Sequence, residues 1–260
     1  MSNVDLTFHE NNNQIAIITL NRPEMRHAFN TEVAEKLVAL FKQLQYNNLV
    51  RVVIITSSTY DAFCSGADLK ERKGMTDEAW KQQHQLFEEM FQSLAELKHP
   101  TIAAVNGFVL AGGFELALNC DLVIAGKGAK FGLPEVTRGI MPGCGGARLL
   151  PKRVPIHIAK EWLYTGRMIS AEEALQAGLL NRLVEQEDVL MEALQLGQHI
   201  AKNGPLGVQG VKKVADASTL PANEARLFEI QVYNEVIQSE DRFEGILAFN
   251  EKREPQFRGK

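Results

Sequence analysis

Little in this sequence is suited to crosslinking or to metal. It contains three cysteines, Cys64, Cys120 and Cys144, an odd number set far apart with no CxxC pair. A reducing compartment is the simplest reading of that pattern. The six histidines are scattered, with no HExxH and no Cys/His cluster, so no zinc site is expected. No apolar run reaches the roughly 18–20 residues needed to cross a bilayer. The stretch from Met1 to Glu10 lacks a basic segment followed by an apolar one, so neither a signal peptide nor an arginine-rich transit segment is expected. These absences read together as a cytoplasmic protein that engages no membrane. The net charge is −4 with acids and bases interspersed, which leaves no basic face for nucleic acid. Two tryptophans are few for the aromatic cleft of a glycosidase, another class that works with paired carboxylates. Low-complexity segments and obvious repeats are also missing.

What the chain does have is alternation. At 260 residues it has enough length for one α/β domain with a sizeable core. Short β-branched runs at Ile15–Leu20, Val52–Ser57, Ile102–Val105 and Leu122–Ala125 predict strands. Between them, Val33, Leu37, Leu40, Phe41 and Leu44 follow helical spacing behind Thr31, a residue suited to N-capping. A second helix is expected behind Thr76, with Trp80, Phe87, Met90, Phe91, Leu94 and Leu97 on one side and Pro100 as its stop. Strand signals cease near residue 195. Beyond it, 223–238 and 239–252 read as two helices with few apolar anchors, which need a partner surface to be stable.

Three glycine-containing turns carry the residues suited to chemistry. In Gly112-Gly113-Phe114-Glu115 the glycine falls at a helix N-terminus, where an unpaired N–H faces along the positive end of the dipole. Such an N–H suits an oxyanion, and Glu115 lies in the same first turn. Glu135 follows Pro134, which fixes its own φ and holds Leu133 extended after an expected strand at 129–133. In Gly66-Ala67-Asp68 the Ala67 N–H is a candidate second donor, and Asp68 is placed to cap a helix starting near Leu69. Each turn also has a plain reading: a helix start, a first-turn acid, a solvated loop carboxylate. The run Gly143-Cys144-Gly145-Gly146 fits neither GxGxxG nor the P-loop, so it gives little support to nucleotide binding.

In combination these segments resemble the crotonase superfamily, and within it the enoyl-CoA hydratases. The similarity runs from Leu20-Asn21-Arg22-Pro23-Glu24 to Ala248-Phe249-Asn250-Glu251-Lys252-Arg253 and is most specific from Ala103 through Glu115 to Asp121, in Phe131-Gly132-Leu133-Pro134-Glu135, and in Pro142–Gly146. It implies an α/β fold, a crotonase-like spiral of repeated β-β-α units over residues 1–195, with a C-terminal helical trimerisation region over 196–260. It implies a homotrimer, or a dimer of trimers, acting on acyl-CoA thioesters. Ala67 and Gly112 then match the oxyanion donors, and Glu115 and Glu135 the acid–base pair that adds water to a 2-enoyl-CoA. The coenzyme A contacts match Arg26, Ala28, Ser65, Ala67, Asp68 and Leu69, with Phe249 and Lys252 from a neighbour's helix. No metal or redox cofactor is implied, because coenzyme A is part of the substrate. The implied setting is fatty-acid or related acyl-CoA catabolism. Departures are few: His27-Ala28-Phe29 stands where Asn-Ala-Leu is usual, Ala111 replaces a frequent glycine, and Cys144 occupies a position where a small residue is common. A hydratase of crotonobetainyl-CoA or methylglutaconyl-CoA type stays open, as does an enoyl-CoA isomerase. An RNA-binding relative would need a lysine-rich helix at 31–46, where Lys36 and Lys42 are balanced by Glu32 and Glu35.

Overall fold

The computed structural model describes residues 2–9 and 13–260. Met1 and Glu10, which bound the stretch read for a targeting signal, lie outside them. Among the described residues the strands are β1 (Val4–Phe8), β2 (Ile15–Leu20), β3 (Val52–Ser57), β4 (Ala62–Cys64), β5 (Thr101–Val105), β6 (Phe108–Leu110), β7 (Leu122–Gly126), β8 (Lys130–Gly132), β9 (Ile169–Ser170) and β10 (Arg182–Val184). The helices are α1 (Thr31–Gln45), α2 (Leu69–Arg72), α3 (Asp77–Ala95), α4 (Gly112–Asn119), α5 (Gly146–Arg153), α6 (Ile156–Thr165), α7 (Ala171–Gln176), α8 (Val189–Ala201), α9 (Pro205–Asp216), α10 (Ala222–Val236) and α11 (Glu240–Glu251). No helix among the described residues is long and apolar enough to cross a membrane.

Two sheets form, ordered β1-β2-β3-β5-β7-β10 and β4-β6-β8-β9. In the larger sheet only β1 runs antiparallel to its neighbour. The chain spirals between the two sheets. Each of β3, β5 and β7 belongs to the large sheet, is followed at once by β4, β6 or β8 of the small one, and then leads into helix. That is the β-β-α repeat. Parallel strands covered on both faces read as continuous apolar runs, and β3, with only Ser57 not fully buried, is such a strand. One face of the large sheet packs with α1, α3 and α4 into the main core. The other packs against α8, whose Val189, Ala193 and Ala201 join Ile15, Val52, Ile54, Ile102 and Ile124. Residue 195 thus lies inside a helix that covers the sheet, and the helices that stand off it begin at α9.

Three details differ from the expectations. The N-cap of α1 is Asn30, whose side chain accepts from the Val33 N–H at 3.0 Å. Thr31 is the first helical residue, and its N–H donates to the Glu71 carboxylate instead. Thr76 does cap α3, accepting from Ala79 N–H, but the helix stops at Ala95, well before Pro100, which leads into β5. The strand expected at 129–133 is the shorter β8, because Pro134 opens a 3₁₀ turn over Pro134–Arg138.

Candidate active site

The parallel order β4-β6-β8 sets the segments that follow these strands side by side. They are Ser65–Asp68, Ala111–Glu115 and Leu133–Glu135, the three turns singled out in the sequence. Gly66 has φ +91°, and a Cβ there would sit 2.8 Å from Ala111 Cβ and 2.9 Å from the Gly112 nitrogen. Only glycine allows the first two turns to approach so closely. A parallel bridge joins Phe29 to Ala67. It uses the Gly66 carbonyl and the Asp68 N–H, so the N–H of Ala67 itself lies outside it. Gly112 is the first residue of α4, where an N–H has no acceptor within the helix. The two proposed donors therefore belong to adjoining turns. Asp68 caps α2, accepting from Lys70 and Glu71, and Arg22 pairs with it at 3.1 Å. The Arg22 and Asp68 charges thereby hold the Ala67 turn.

Gly112 and Gly113 are required by packing. A Cβ on Gly112 would lie 2.3 Å from Phe29 Cζ, and one on Gly113 would lie 2.1 Å from the Cys64 carbonyl oxygen. Ala111, the N-cap, has φ +50° and ψ −128°, a region natural to glycine. An alanine held there stores strain of order 1–3 kcal/mol. Its carbonyl accepts from the N–H groups of Phe114 and Glu115, and its N–H donates to Gly132, which fixes the start of α4.

The two glutamates are both buried but are held differently. Glu115, 3% exposed, presents Oε1 to the N–H groups of Cys144 and Gly146, each at 2.8 Å. The glycine run that fits no nucleotide motif is thus a carboxylate cradle. Gly145 is left-handed at φ +110°, turning two nearby N–H groups toward one oxygen at the N-terminus of α5. Burial raises the Glu115 pKa above the ordinary carboxylate range, while these N–H donors and His84 oppose the rise. Glu135, 8% exposed, sits in the 3₁₀ turn, and its Oε2 has no partner among the described residues. Burial pushes its carboxyl up to about 7, with the Glu115 charge adding to the rise and its own N–H and Arg138 resisting. Two N–H donors offset part of the effect of burial on Glu115, whereas Glu135 has only its own N–H in that role and holds its proton toward neutral pH. The two carboxyl groups interact, so they titrate as a coupled pair.

The segments matched to coenzyme A contacts also meet. The Ser65 N–H donates to the Arg26 carbonyl at 3.1 Å and the Ser65 hydroxyl to the Met25 carbonyl at 3.3 Å. Ala28 is buried, its carbonyl accepting from Arg22, while Arg26 lies over the Phe108 ring and Leu69 is exposed. His27, at φ +54°, is a packed residue. It accepts from the Arg22 N–H, pairs with Thr59, and burial lowers its pKa. Phe249 and Lys252 stand exposed at the end of α11, outside this cluster. Sequence reasoning did not single out two parts: the cradle for Glu115, signalled only by glycines before a helix, and Arg72, which the fold stacks on Trp80 and ties to Gln83.

The family model described as enoyl-CoA hydratase/isomerase matches residues 10–260. YngF of Bacillus subtilis (strain 168), named for the same family, is 37% identical over 255 residues, covering 98% of each chain. The 2,3-dehydroadipyl-CoA hydratase of Escherichia coli (strain K12) is 38% identical over 250 residues, 95% of this chain and 96% of that one. Among solved structures, the crystal structure of enoyl-CoA hydratase from Bacillus anthracis superposes with a TM-score of 0.96 at 36% identity over the whole of both chains.

Proposed function

The chain belongs to the enoyl-CoA hydratase/isomerase family, and on that premise we propose that it is a hydro-lyase adding water across the C2=C3 bond of a 2-enoyl-CoA thioester. The observation that carries this reading is the unequal setting of two buried glutamates beside two adjoining backbone N–H groups. The thioester oxygen accepts from the Ala67 and Gly112 N–H groups. Ionised Glu115 takes a proton from water as its oxygen bonds to C3. The π electrons move to the thioester oxygen, where the growing enolate charge is held by the two donors. Such donors favour the transition state over the ground state. Protonated Glu135 then gives its proton to C2, and the carbonyl re-forms. Proton exchange with solvent resets the pair for another turnover. The reaction also runs in reverse as a dehydration.

Coenzyme A on this reading lies along Arg26, Ala28, Ser65, Asp68 and Leu69, with Phe249 and Lys252 supplied by a neighbouring subunit. The apolar side chains exposed on α10 and α11, among them Leu227, Ile230, Phe243, Ile246 and Phe249, support assembly into a trimer or a dimer of trimers. Presence of both glutamates favours hydration over double-bond migration, for which one carboxylate suffices. A panel of 2-enoyl-CoA thioesters of varied length and branching, followed by loss of the conjugated-thioester absorbance, tests the proposal. Hydration of at least one is expected. Migration of the double bond without loss of unsaturation would identify an isomerase and overturn it.

A further inference from the structure

Arg72 ends α2, one turn beyond the Ala67 donor. Its guanidinium lies over the Trp80 ring, 4.1 Å from the centroid, and within 5.2 Å of the Phe87 centroid. Its Nε donates to Gln83 Oε1 at 2.8 Å. Gln83 is itself buried and pinned, donating to Thr31 Oγ1 at 3.0 Å and Glu71 Oε2 at 2.6 Å. Glu71, the carboxylate nearest to Arg72 along the chain, is occupied by this bond and by the Thr31 N–H. The guanidinium is thus fixed in plane and direction with one of its five N–H donors used. Among the described residues its two terminal nitrogens have no acceptor.

Two chains of contact tie Arg72 to the reacting centre. Phe87 packs edge-on to Phe29 at 4.9 Å between centroids, and Phe29 lies against Gly112. On the other side, the Cys144 thiol lies within electrostatic reach of both Arg72 and the glutamates. Burial raises its thiol pKa, Glu115, Glu88 and Glu135 push the same way, and Arg72 opposes them. The Cys144 N–H reaches Glu115. A half-buried cation gains most from a partner that brings its own negative charge. A planar fork with both outer nitrogens open matches a carboxylate in bidentate geometry.

The geometry points to Arg72 as a specificity residue that binds a second carboxylate at the far end of the acyl group, making the substrates ω-carboxyl-2-enoyl-CoA thioesters. This rests on the proposed function for the site but is tested apart from it. Saturated ligands report binding without turnover, so the comparison is between adipyl-CoA and hexanoyl-CoA, equal in carbon number and differing in one terminal carboxylate. Calorimetry should show wild-type protein binding adipyl-CoA about 10–100-fold more tightly, the span of a charged hydrogen-bond pair. Arg72→Met keeps an apolar stem under Trp80 and should bring the ratio near one. Arg72→Lys keeps the charge without the fork and should fall between. Equal wild-type affinities, or a preference for hexanoyl-CoA, overturns the inference, and this arm needs no variant to fold. An equal loss for both ligands in folded Arg72→Met also overturns it, by placing the contact on the shared coenzyme. Hydration of 2-hexenoyl-CoA and 2-hexenedioyl-CoA is followed in parallel. Absence of hydration with adipyl-CoA preferred would strike the hydratase reading alone and leave the Arg72 assignment standing.

Discussion

Helices α4 and α11 are both short, yet they are opposites. In α4 every residue from Gly112 to Leu118 is buried. In α11 only Asp241 and Ala248 are, while Phe243, Ile246, Leu247 and Phe249 are exposed. The hydrophobic side chains of α4 meet partners within this chain, and its N-terminus is locked by Gly66, Phe29 and the Cys64 backbone. Packing of that density positions an N–H group within tenths of an ångström. The tail is held instead by polar ties, such as Asp241 accepting from the N–H groups of Arg258 and Gly259. Its apolar surface is uncovered. The proposed chemistry falls where the chain completes its own packing, and assembly is expected where it does not.

The largest effects should come from the α4 side. Glu115→Gln and Glu135→Gln should each lower kcat by about 10²–10⁴ with thioester binding nearly intact. The double variant should lose less than the product, because both groups act on one water. Near wild-type turnover in either single variant would remove that residue from the mechanism.

Glycines sharpen the contrast next. Gly113→Ala drives a Cβ into the Cys64 carbonyl, a backbone atom that cannot step aside, and should cost roughly 3 kcal/mol or more of stability. A Cβ added at Gly207 in α9 would meet nothing within 4 Å. Gly207→Ala should hold or gain about 0.5–1 kcal/mol. Similar melting temperatures for the two variants would contradict the difference in packing.

Glu135 also carries a stability cost with a defined pH window. Its carboxyl loses its proton near 4.5 in the unfolded chain and at about 7 in the folded one. Between those values the folded state holds a proton that the unfolded state has released, so stability falls as pH rises through the window. Above it the cost is constant, at most about 3 kcal/mol. Glu135→Gln should therefore melt higher than wild type at pH 8 and close to it at pH 5. A variant less stable at pH 8 than at pH 5, relative to wild type, would contradict a proton held by burial.

The smallest expected effect lies on α11. Lys252→Ala should raise KM by about tenfold and leave kcat nearly unchanged, since a phosphate contact is equal in ground and transition states. Truncation after Gln238 removes the α11 part of the apolar face, Phe243, Ile246, Leu247 and Phe249, and should dissociate the assembly, as light scattering would show. A truncated protein with unchanged size and KM would detach the tail from both roles.

The sequence made some of this legible for physical reasons. The strands β2, β3, β5 and β7 were visible because parallel strands buried on both faces are continuous β-branched runs. Two of the three site turns were visible because close backbone approach demands glycine at Gly66, Gly112 and Gly113, and the third because Pro134 fixes the chain just before Glu135. Helix ends were less so: Asn30 and Thr31 are both good caps, and only tertiary contact with Glu71 decides between them. The burial of Glu135 and the cradle around Glu115 depend on segments 20 to 31 residues apart coming together, which local pattern does not encode. Nothing in the local pattern around Arg72 sets it apart. Its ties to Gln83 and Trp80 exist only because α3 folds back over α2.

The central claim is that this pair of glutamates adds water rather than moving a double bond. Incubating wild-type protein with a 2-enoyl-CoA in heavy-oxygen water and reading the product by mass spectrometry tests it directly. The account predicts a 3-hydroxyacyl-CoA carrying one heavy oxygen at C3, formed far more slowly by Glu115→Gln and Glu135→Gln. A product of unchanged mass with its double bond displaced, and no heavy oxygen incorporated, would contradict it.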